Sequence, residues 1–279
     1  PPPPRNMSSA ASDVYKRQNH YRIFMKLGFI GTGKITSSVI SGVCTSKINY
    51  KKIFISSRNI RVAKGLKRKF KKIYIEKNNQ KIIDNCEWIF LAVTPVVGHK
   101  IIKNLRFRSN QTIISFISTI NLSELRRMVK VKADLVRAIP LPPISLKRGP
   151  VPICPPNKKV KNFFNKIGST IEIKNEKLSI NFWSTSGMMA SYYEILNVMS
   201  GWLIKKGIKR ADAQKYITTL FLALSEDAVV NSKKELKYLV KESQTPKGLN
   251  EQGLKEMNKR GTYKSVINTL NSIHKRLNK

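Results

Sequence analysis

Gly31-Thr32-Gly33-Lys34-Ile35-Thr36 follows an apolar run and opens an amphipathic one. A glycine at the first position permits a tight turn, and one at the third lets a phosphate approach the backbone. The N-terminus of the helix that follows offers unbonded N–H groups and the positive end of its dipole. Gly31, Gly33, Lys34 and Ile35 are therefore the expected contacts of a dinucleotide pyrophosphate. Thr36 occupies the place of the third fingerprint glycine, which changes how the helix packs on the strand.

The next strand, KIFIS over Lys52–Ser56, runs into Ser57-Arg58-Asn59 with no acid at its end. An NAD site usually places Asp or Glu there to hold the ribose 2′-hydroxyl. Hydroxyls and a guanidinium suit a 2′-phosphate instead, so the expected cofactor is NADPH, read by Ser57 and Arg58. Val93-Thr94-Pro95 and Ile117-Ser118-Thr119 end two later strands, at the carboxyl edge where such sheets bind ligands. Val93, Thr94, Pro95 and Ser118 read either as cofactor contacts or as ordinary strand-ending turns.

Other chemistries lack their residues. Past residue 24 the histidines are His99 and His274, and neither has an Asp at helical spacing, which argues against a His-based hydroxy acid dehydrogenase. No Tyr is followed four positions later by Lys, the pair that short-chain dehydrogenases use. The β-hydroxyacid dehydrogenases need a Lys early in a long interdomain helix, and 187–204 contains none. No cluster of metal ligands is visible, so no metal is expected. A hydride transfer that needs no strong side-chain acid remains, and a protonated imine fits, because the substrate already carries the positive charge.

The elements that must position these residues alternate. Strands are expected at Lys26–Ile30, Lys52–Ser56, Ile73–Ile75, Trp88–Val93, Thr112–Phe116 and Asp134–Ile139. Helices are expected between them at Ile35–Thr45, Ile60–Phe70, Val97–Leu105 and Asn121–Val129, the last capped by Asn121 or Ser123. That alternation implies an α/β Rossmann domain with a doubly wound parallel sheet, 25–175, with the Pro-rich 140–156 stretch at its edge. A linker is expected near 174–180, followed by an all-α C-terminal domain, 176–279. Its helices are read at Trp183–Lys206, Ala211–Asn231, Lys233–Ser243, Leu249–Met257 and Tyr263–Leu277.

Residues 1–24 open on four prolines and a Ser/Ala stretch without periodicity, and read as a non-native or disordered tail. Hydrophobic residues make up 41% of the 279, enough for a core. No run reaches the roughly 18 apolar residues of a membrane span, and no secretory signal is visible. Cys44, Cys86 and Cys154 are widely spaced and odd in number, which argues against a disulfide framework and fits a reducing cytoplasm. The formal charge of +37 comes mostly from Lys spread among Ile and Asn, a compositional bias rather than a nucleic-acid footprint. Its expected effect is a positive field that draws in a phosphate-rich cofactor.

Taken in order, these motifs resemble the pyrroline-5-carboxylate reductase family over essentially all of 25–275. GFIGTGKIT over 28–36 is similar to that family's opening fingerprint, and Ser57-Arg58 to its NADP-selecting strand end. Val93-Thr94-Pro95 resembles its Val-Lys-Pro, and Arg137-Ala138-Ile139-Pro140 its Arg-x-Met-Pro. Thr185-Ser186-Gly187 falls where the family has a Ser/Gly-rich substrate loop, and Gly207-Ile208 where a Gly-Leu closes its long helix. TPKGLNEQ over 245–252 resembles its Ser-Pro-Gly-Gly-Thr-Thr loop.

The resemblance implies NADPH-dependent reduction of 1-pyrroline-5-carboxylate to L-proline by direct hydride transfer, in a homodimer or higher homo-oligomer built from the helical domains. It implies Ser186 and Thr245 as catalytic residues, and Thr185, Gly187, Asn197, Pro246 and Asn250 as substrate contacts. Thr185-Ser186 and Thr245-Pro246 also read as helix caps, with Pro246 at the first helical position. The sequence departs from the family where the substrate is held. No loop proline stands near Met189, Leu249 and Asn250 replace two threonines, and Asn197 replaces an acid. Those departures point to an alternative, a related NADP-dependent enzyme for another cyclic imine or a keto compound, or a non-catalytic NADP-binding protein.

Overall fold

The computed structural model describes Met25–Asn278, so the reading of 1–24 as a tail lies outside the described residues. The chain divides into two compact units, with the division between Ser179 and Ile180.

The first unit alternates strand and helix. It runs β1 (Met25–Ile30), α1 (Lys34–Cys44), β2 (Tyr50–Ser56), α2 (Ile60–Lys69), β3 (Ile73–Glu76), α3 (Asn79–Asn85) and β4 (Trp88–Leu91). It continues through α4 (Pro95–Ile101), β5 (Thr112–Ser115), α5 (Leu122–Val129), β6 (Asp134–Ala138), β7 (Pro150–Cys154), α6 (Lys158–Phe164) and β8 (Ser169–Glu172). One sheet has the order β3-β2-β1-β4-β5-β6-β7-β8. The first six strands in the chain are parallel, as the alternation predicts. The order reverses between β1 and β4, which opens a crevice at their carboxyl ends.

Local chemistry sets the helix starts. Asn59, Asn78, Asn121 and Asn157 each accept a backbone N–H from the first turn of α2, α3, α5 and α6. An Asn oxygen satisfies one of the orphan donors that open a helix. Asn121, rather than Ser123, caps α5 by accepting from Glu124 N at 2.9 Å. The core on one side of the sheet is aromatic. Phe29 stacks on Phe90 with ring centroids 4.3 Å apart, and Phe163 of α6 closes on Trp88 at 5.0 Å. Ile82, Ile83, Ile89, Leu91 and Ile113 fill the other side.

Four elements here escape the sequence reading. Helix α3 has seven residues and buries only Ile82 and Ile83, too few for a visible period. The same brevity hides α6. Strand β7 is masked by Pro150 and Pro152, which donate nothing to a ladder. It forms nonetheless, because Val151 and Ile153 are fully buried and the Pro152 carbonyl accepts from Ile139 N at 3.2 Å. It runs antiparallel to β6, and β8 runs parallel to β7, so the last two strands reverse the sheet's direction.

The second unit is helical: α7 (Ser179–Ser186, beginning at the division), α8 (Met189–Lys205), α9 (Arg210–Val230), α10 (Leu236–Glu242), α11 (Leu249–Lys259) and α12 (Thr262–Leu277). The single helix expected over Trp183–Lys206 is two, broken at Gly187-Met188. The helix expected over Lys233–Ser243 begins only at Leu236. Helix α8 ends in a Schellman motif: Gly207 has φ +92°, its N–H donates to the Ile204 carbonyl, and Ile208 N–H donates to Leu203. That geometry gives Gly207-Ile208 a physical reason. None of the described helices is long and apolar enough to cross a membrane.

Candidate functional site

The turn after β1 leaves the start of α1 open. Gly31 has φ +106°, and a Cβ there would lie 2.2 Å from the Ala92 carbonyl oxygen, so no other residue fits this turn. Gly33 precedes α1 with no side-chain cap, and a Cβ built on it would meet nothing within 4 Å. The first turn of α1 carries no acid. The result is an uncapped helix N-terminus facing an open cradle, the arrangement that accepts a pyrophosphate. Thr36 spends its hydroxyl on the Gly31 carbonyl at 2.8 Å, so the residue in place of the third glycine braces the turn from inside.

A cleft of about 490 Å³ opens over this turn. Its walls are Gly31–Gly33, the segment Arg58–Arg61 from the loop after β2 into α2, and Ala92–Thr94 after β4. A neighbouring cavity of about 280 Å³ shares Gly31, Arg58 and Val93 and adds Ser57, Lys77 and Asn79. Of the expected cofactor contacts, the structure brings Gly31, Gly33, Ser57, Arg58, Val93 and Thr94 to these two hollows. The other four side chains line neither hollow. Lys34 is exposed on the first turn of α1, and Ile35 packs against the core. Pro95 is the first residue of α4. The Ser118 carbonyl accepts a hydrogen bond from Arg137.

Sequence reasoning missed Thr32, Ser56, Asn59, Arg61, Lys77 and Asn79. Arg61 lies in the first turn of α2, just past the Asn59 cap, and lines the same hollow as Arg58. Lys77 lies in the loop before α3 and Asn79 is the first residue of that helix, which went unseen. The fit to a 2′-phosphate is chemical: Arg58, Arg61 and Lys77 are three cations, and among the described residues no acid lines either hollow. An NAD site would carry a carboxylate there.

The expected substrate residues all lie in the second unit, and two readings of them need correction. Thr185 and Ser186 do not cap the long helix. Both lie in α7, and their hydroxyls donate back to the Phe182 carbonyl at 2.8 and 2.9 Å. Met188 stands at the N-cap of α8 without a side-chain bond. Thr245-Pro246 does not start a helix either. Gly248 N donates to the Thr245 carbonyl at 2.8 Å, Lys247 has φ +63°, and α11 begins at Leu249. Pro followed by a left-handed residue is the pattern of a type II turn. Gly187 sits against Ile273 of α12. Asn197 is exposed on α8, 3.3 Å from Glu194, which places an acid one turn before the position where the family resemblance expects it. Asn250 donates to the Ser243 carbonyl at 2.8 Å and pins the turn to the end of α10.

Two groups outside the cleft bear on the chemistry. His99 Nδ1 lies 3.2 Å from Glu124, a carboxylate brought from α5 that helical spacing could not show. The pair is partly exposed and lines neither hollow. Burial pushes all three thiols up, Cys86 to about 12, which keeps them protonated and poor nucleophiles.

Comparison with known proteins adds to this geometry. Residues 26–119 match the family described as NADP oxidoreductase coenzyme F420-dependent, and 178–279 match the pyrroline-5-carboxylate reductase dimerisation domain. Each match covers less than half of the chain. Pyrroline-5-carboxylate reductase 3 of Xenopus laevis is 20% identical over 259 residues, 89% of this chain and 93% of that protein. The structure of 1-pyrroline-5-carboxylate reductase from Streptococcus pyogenes is 22% identical and superposes with a TM-score of 0.76 over 91% of this chain and 98% of its own. That of Plasmodium falciparum pyrroline carboxylate reductase, with NADP bound, is 22% identical with a TM-score of 0.77 over 91% and 97%. At these identities the structures show the shared fold.

Proposed function

We propose that this protein is an NADP-dependent oxidoreductase that reduces 1-pyrroline-5-carboxylate to L-proline. The observation that carries the reading is the coexistence of a phosphate cradle at Gly31–Gly33 with an acid-free, cationic end of β2, in a chain whose 178–279 segment matches the dimerisation domain of that reductase family. The fold and the relatives support the broader class; the imine substrate is our inference.

The residues divide the work. The free N–H groups of the α1 first turn would hold the pyrophosphate, and Arg58 with Ser57 would hold the 2′-phosphate. Val93 and Thr94 would pack against the cofactor on the β4 side. When bound, the reduced nicotinamide supplies the hydride, and a protonated C=N carbon receives it without a strong protein acid. In the second unit, Ser186 and Thr245 are proposed to orient the substrate, with Thr185, Gly187, Asn197, Pro246 and Asn250 around it. The Ser186 O–H is already committed to Phe182, so it accepts freely but donates to a carboxylate only after rotating. Helical domains of this kind are proposed to pair as a homodimer in the cytoplasm.

One observation favours a second reading, a different cyclic imine or a keto substrate. Leu249 is 86% exposed and Asn250 is tied to Ser243, so neither offers the hydroxyl that the family resemblance places there. Oxidation of NADPH by the purified protein with 1-pyrroline-5-carboxylate, with NADH alongside, decides between them. Turnover with NADPH supports the first reading. Tight NADPH binding without turnover confines the proposal to the cofactor half and directs the search to other imines and keto compounds.

A further inference from the structure

Three hydrogen bonds stitch the phosphate turn to the end of β2. The Gly31 N–H donates to Ser56 Oγ at 2.9 Å. The Thr32 hydroxyl donates to the Ser56 carbonyl at 3.1 Å, and the Asn59 N–H donates to Thr32 Oγ1 at 3.2 Å. Thr32 is 3% exposed and Ser56 4%, so the first two bonds are sheltered from water and the third, to Asn59, is partly sheltered. A hydroxyl has one proton to give and lone pairs to receive, and Thr32 uses both functions.

What the stitch encloses is the point. Ser57 and Arg58 lie between Ser56 and Asn59, and one hydroxyl holds the backbone on both sides of them. The Arg58 side chain itself is exposed and long, with much rotamer freedom. Only its backbone anchor is fixed, and Thr32, the middle residue of Gly-Thr-Gly, fixes it. Gly31 and Gly33, which form the cradle, flank that same threonine.

We infer that Thr32 is a positioning residue for cofactor selectivity. It sets the spacing between the pyrophosphate cradle and the loop that reads the 2′-phosphate, so that both charges of one NADPH are met at once. The inference rests on the NADPH reading above. NADH carries the pyrophosphate but no 2′-phosphate, so its affinity does not depend on that spacing. A loosened loop therefore costs NADPH more than NADH, because preorganisation is what a second anchor depends on.

The test is the ratio of NADH to NADPH dissociation constants, measured by fluorescence titration at one fixed ionic strength. Thr32→Val keeps the shape and removes the hydroxyl. It is expected to lower the ratio about tenfold, the order of one net hydrogen bond, mainly by weakening NADPH. Thr32→Ser restores the hydroxyl and is expected to restore the ratio. If the valine variant does not fold, Thr32→Ala removes the same group with less bulk and is read the same way. A purely structural role predicts a lower melting temperature with an unchanged ratio, and that result overturns the inference while leaving the NADPH reading intact. A wild-type protein that binds the two cofactors equally overturns both.

Discussion

Arg137, buried in β6, pairs with Glu176, which sits on the short turn that precedes the division between the two units. The guanidinium also donates to the Ser118 carbonyl, and the carboxylate accepts from Leu122 N at 2.8 Å. Burial lowers the Arg137 pKa, and Glu176 counters it by hydrogen bond and charge. Residues far apart in the chain, 118, 122, 137 and 176, thus meet through one ion pair.

The two partners are not equally replaceable. Arg137 is 4% exposed, whereas the Glu176 side chain is 26% exposed and reaches water. Glu176→Ala strips a buried cation of its countercharge and is expected to cost about 3 kcal/mol of unfolding free energy. Arg137→Met leaves a carboxylate that water and Leu122 N can still serve, and is expected to cost about half as much. Urea denaturation of both variants checks the order, and an equal or reversed order refutes it.

The two fingerprint glycines should fail differently. Gly31→Ala meets a backbone carbonyl and a disfavoured φ, so it is expected to destabilise the fold by about 3 kcal/mol or more. Gly33→Ala meets nothing, so stability is expected to stay within about 0.5 kcal/mol. Its methyl occupies the cradle, and NADPH affinity is expected to fall at least tenfold. Melting curves and NADPH titrations on both variants separate the effects.

Arg58 is expected to carry the choice of cofactor. Removing one charge-assisted contact to a phosphate costs about 1.5–3 kcal/mol, or about 10–100-fold. Arg58→Ala should therefore weaken NADPH by that factor and leave NADH nearly unchanged. Equal losses for both cofactors would move the 2′-phosphate away from this residue.

Cys86 gives a pH signature. Its folded-state thiol is held near 12 by burial, with Glu87 adding to the shift, while an unfolded thiol titrates near the ordinary value of 9.0. Between those two values the unfolded chain loses a proton that the folded chain keeps. Stability from this group is fully present below about 9 and falls as pH rises toward 12. Cys86→Ala is expected to flatten the decline in that window, measured by denaturation at a series of alkaline pH values. In the native protein at pH 8, thiol reagents should leave Cys86 unmodified until the chain unfolds.

The helical unit exposes apolar side chains that a folded monomer rarely leaves in water. Among its described residues only Ser184, Ser200, Ala213 and Ile217 are buried, while Tyr193, Trp202 and Val230 are 58%, 59% and 82% exposed. A homodimer would cover such a surface. Sedimentation is expected to give twice the 31.8 kDa chain mass, and Trp202→Glu is expected to shift the protein toward monomer.

The sequence alone determined the parts whose physics is local. Strong periodicity announced the six parallel strands, and Gly31 announced the tight turn after β1, because only a residue without a side chain fits there. The acid-free end of β2 was equally plain, since charge type is read without coordinates. Short and proline-bearing elements were silent: α3, α6, β7 and β8 draw their stability from contacts made across the sheet, and no window of residues displays those. Capping was misread at Ser186 and Thr245 because Ser, Thr and Pro suit turns and caps alike, and only the backbone path decides which forms. Tertiary structure decided the rest. It brought Glu124 to His99 and Glu176 to Arg137, and it placed Thr32 between Ser56 and Asn59, since hydrogen bonds between residues distant in sequence exist only once the sheet has assembled.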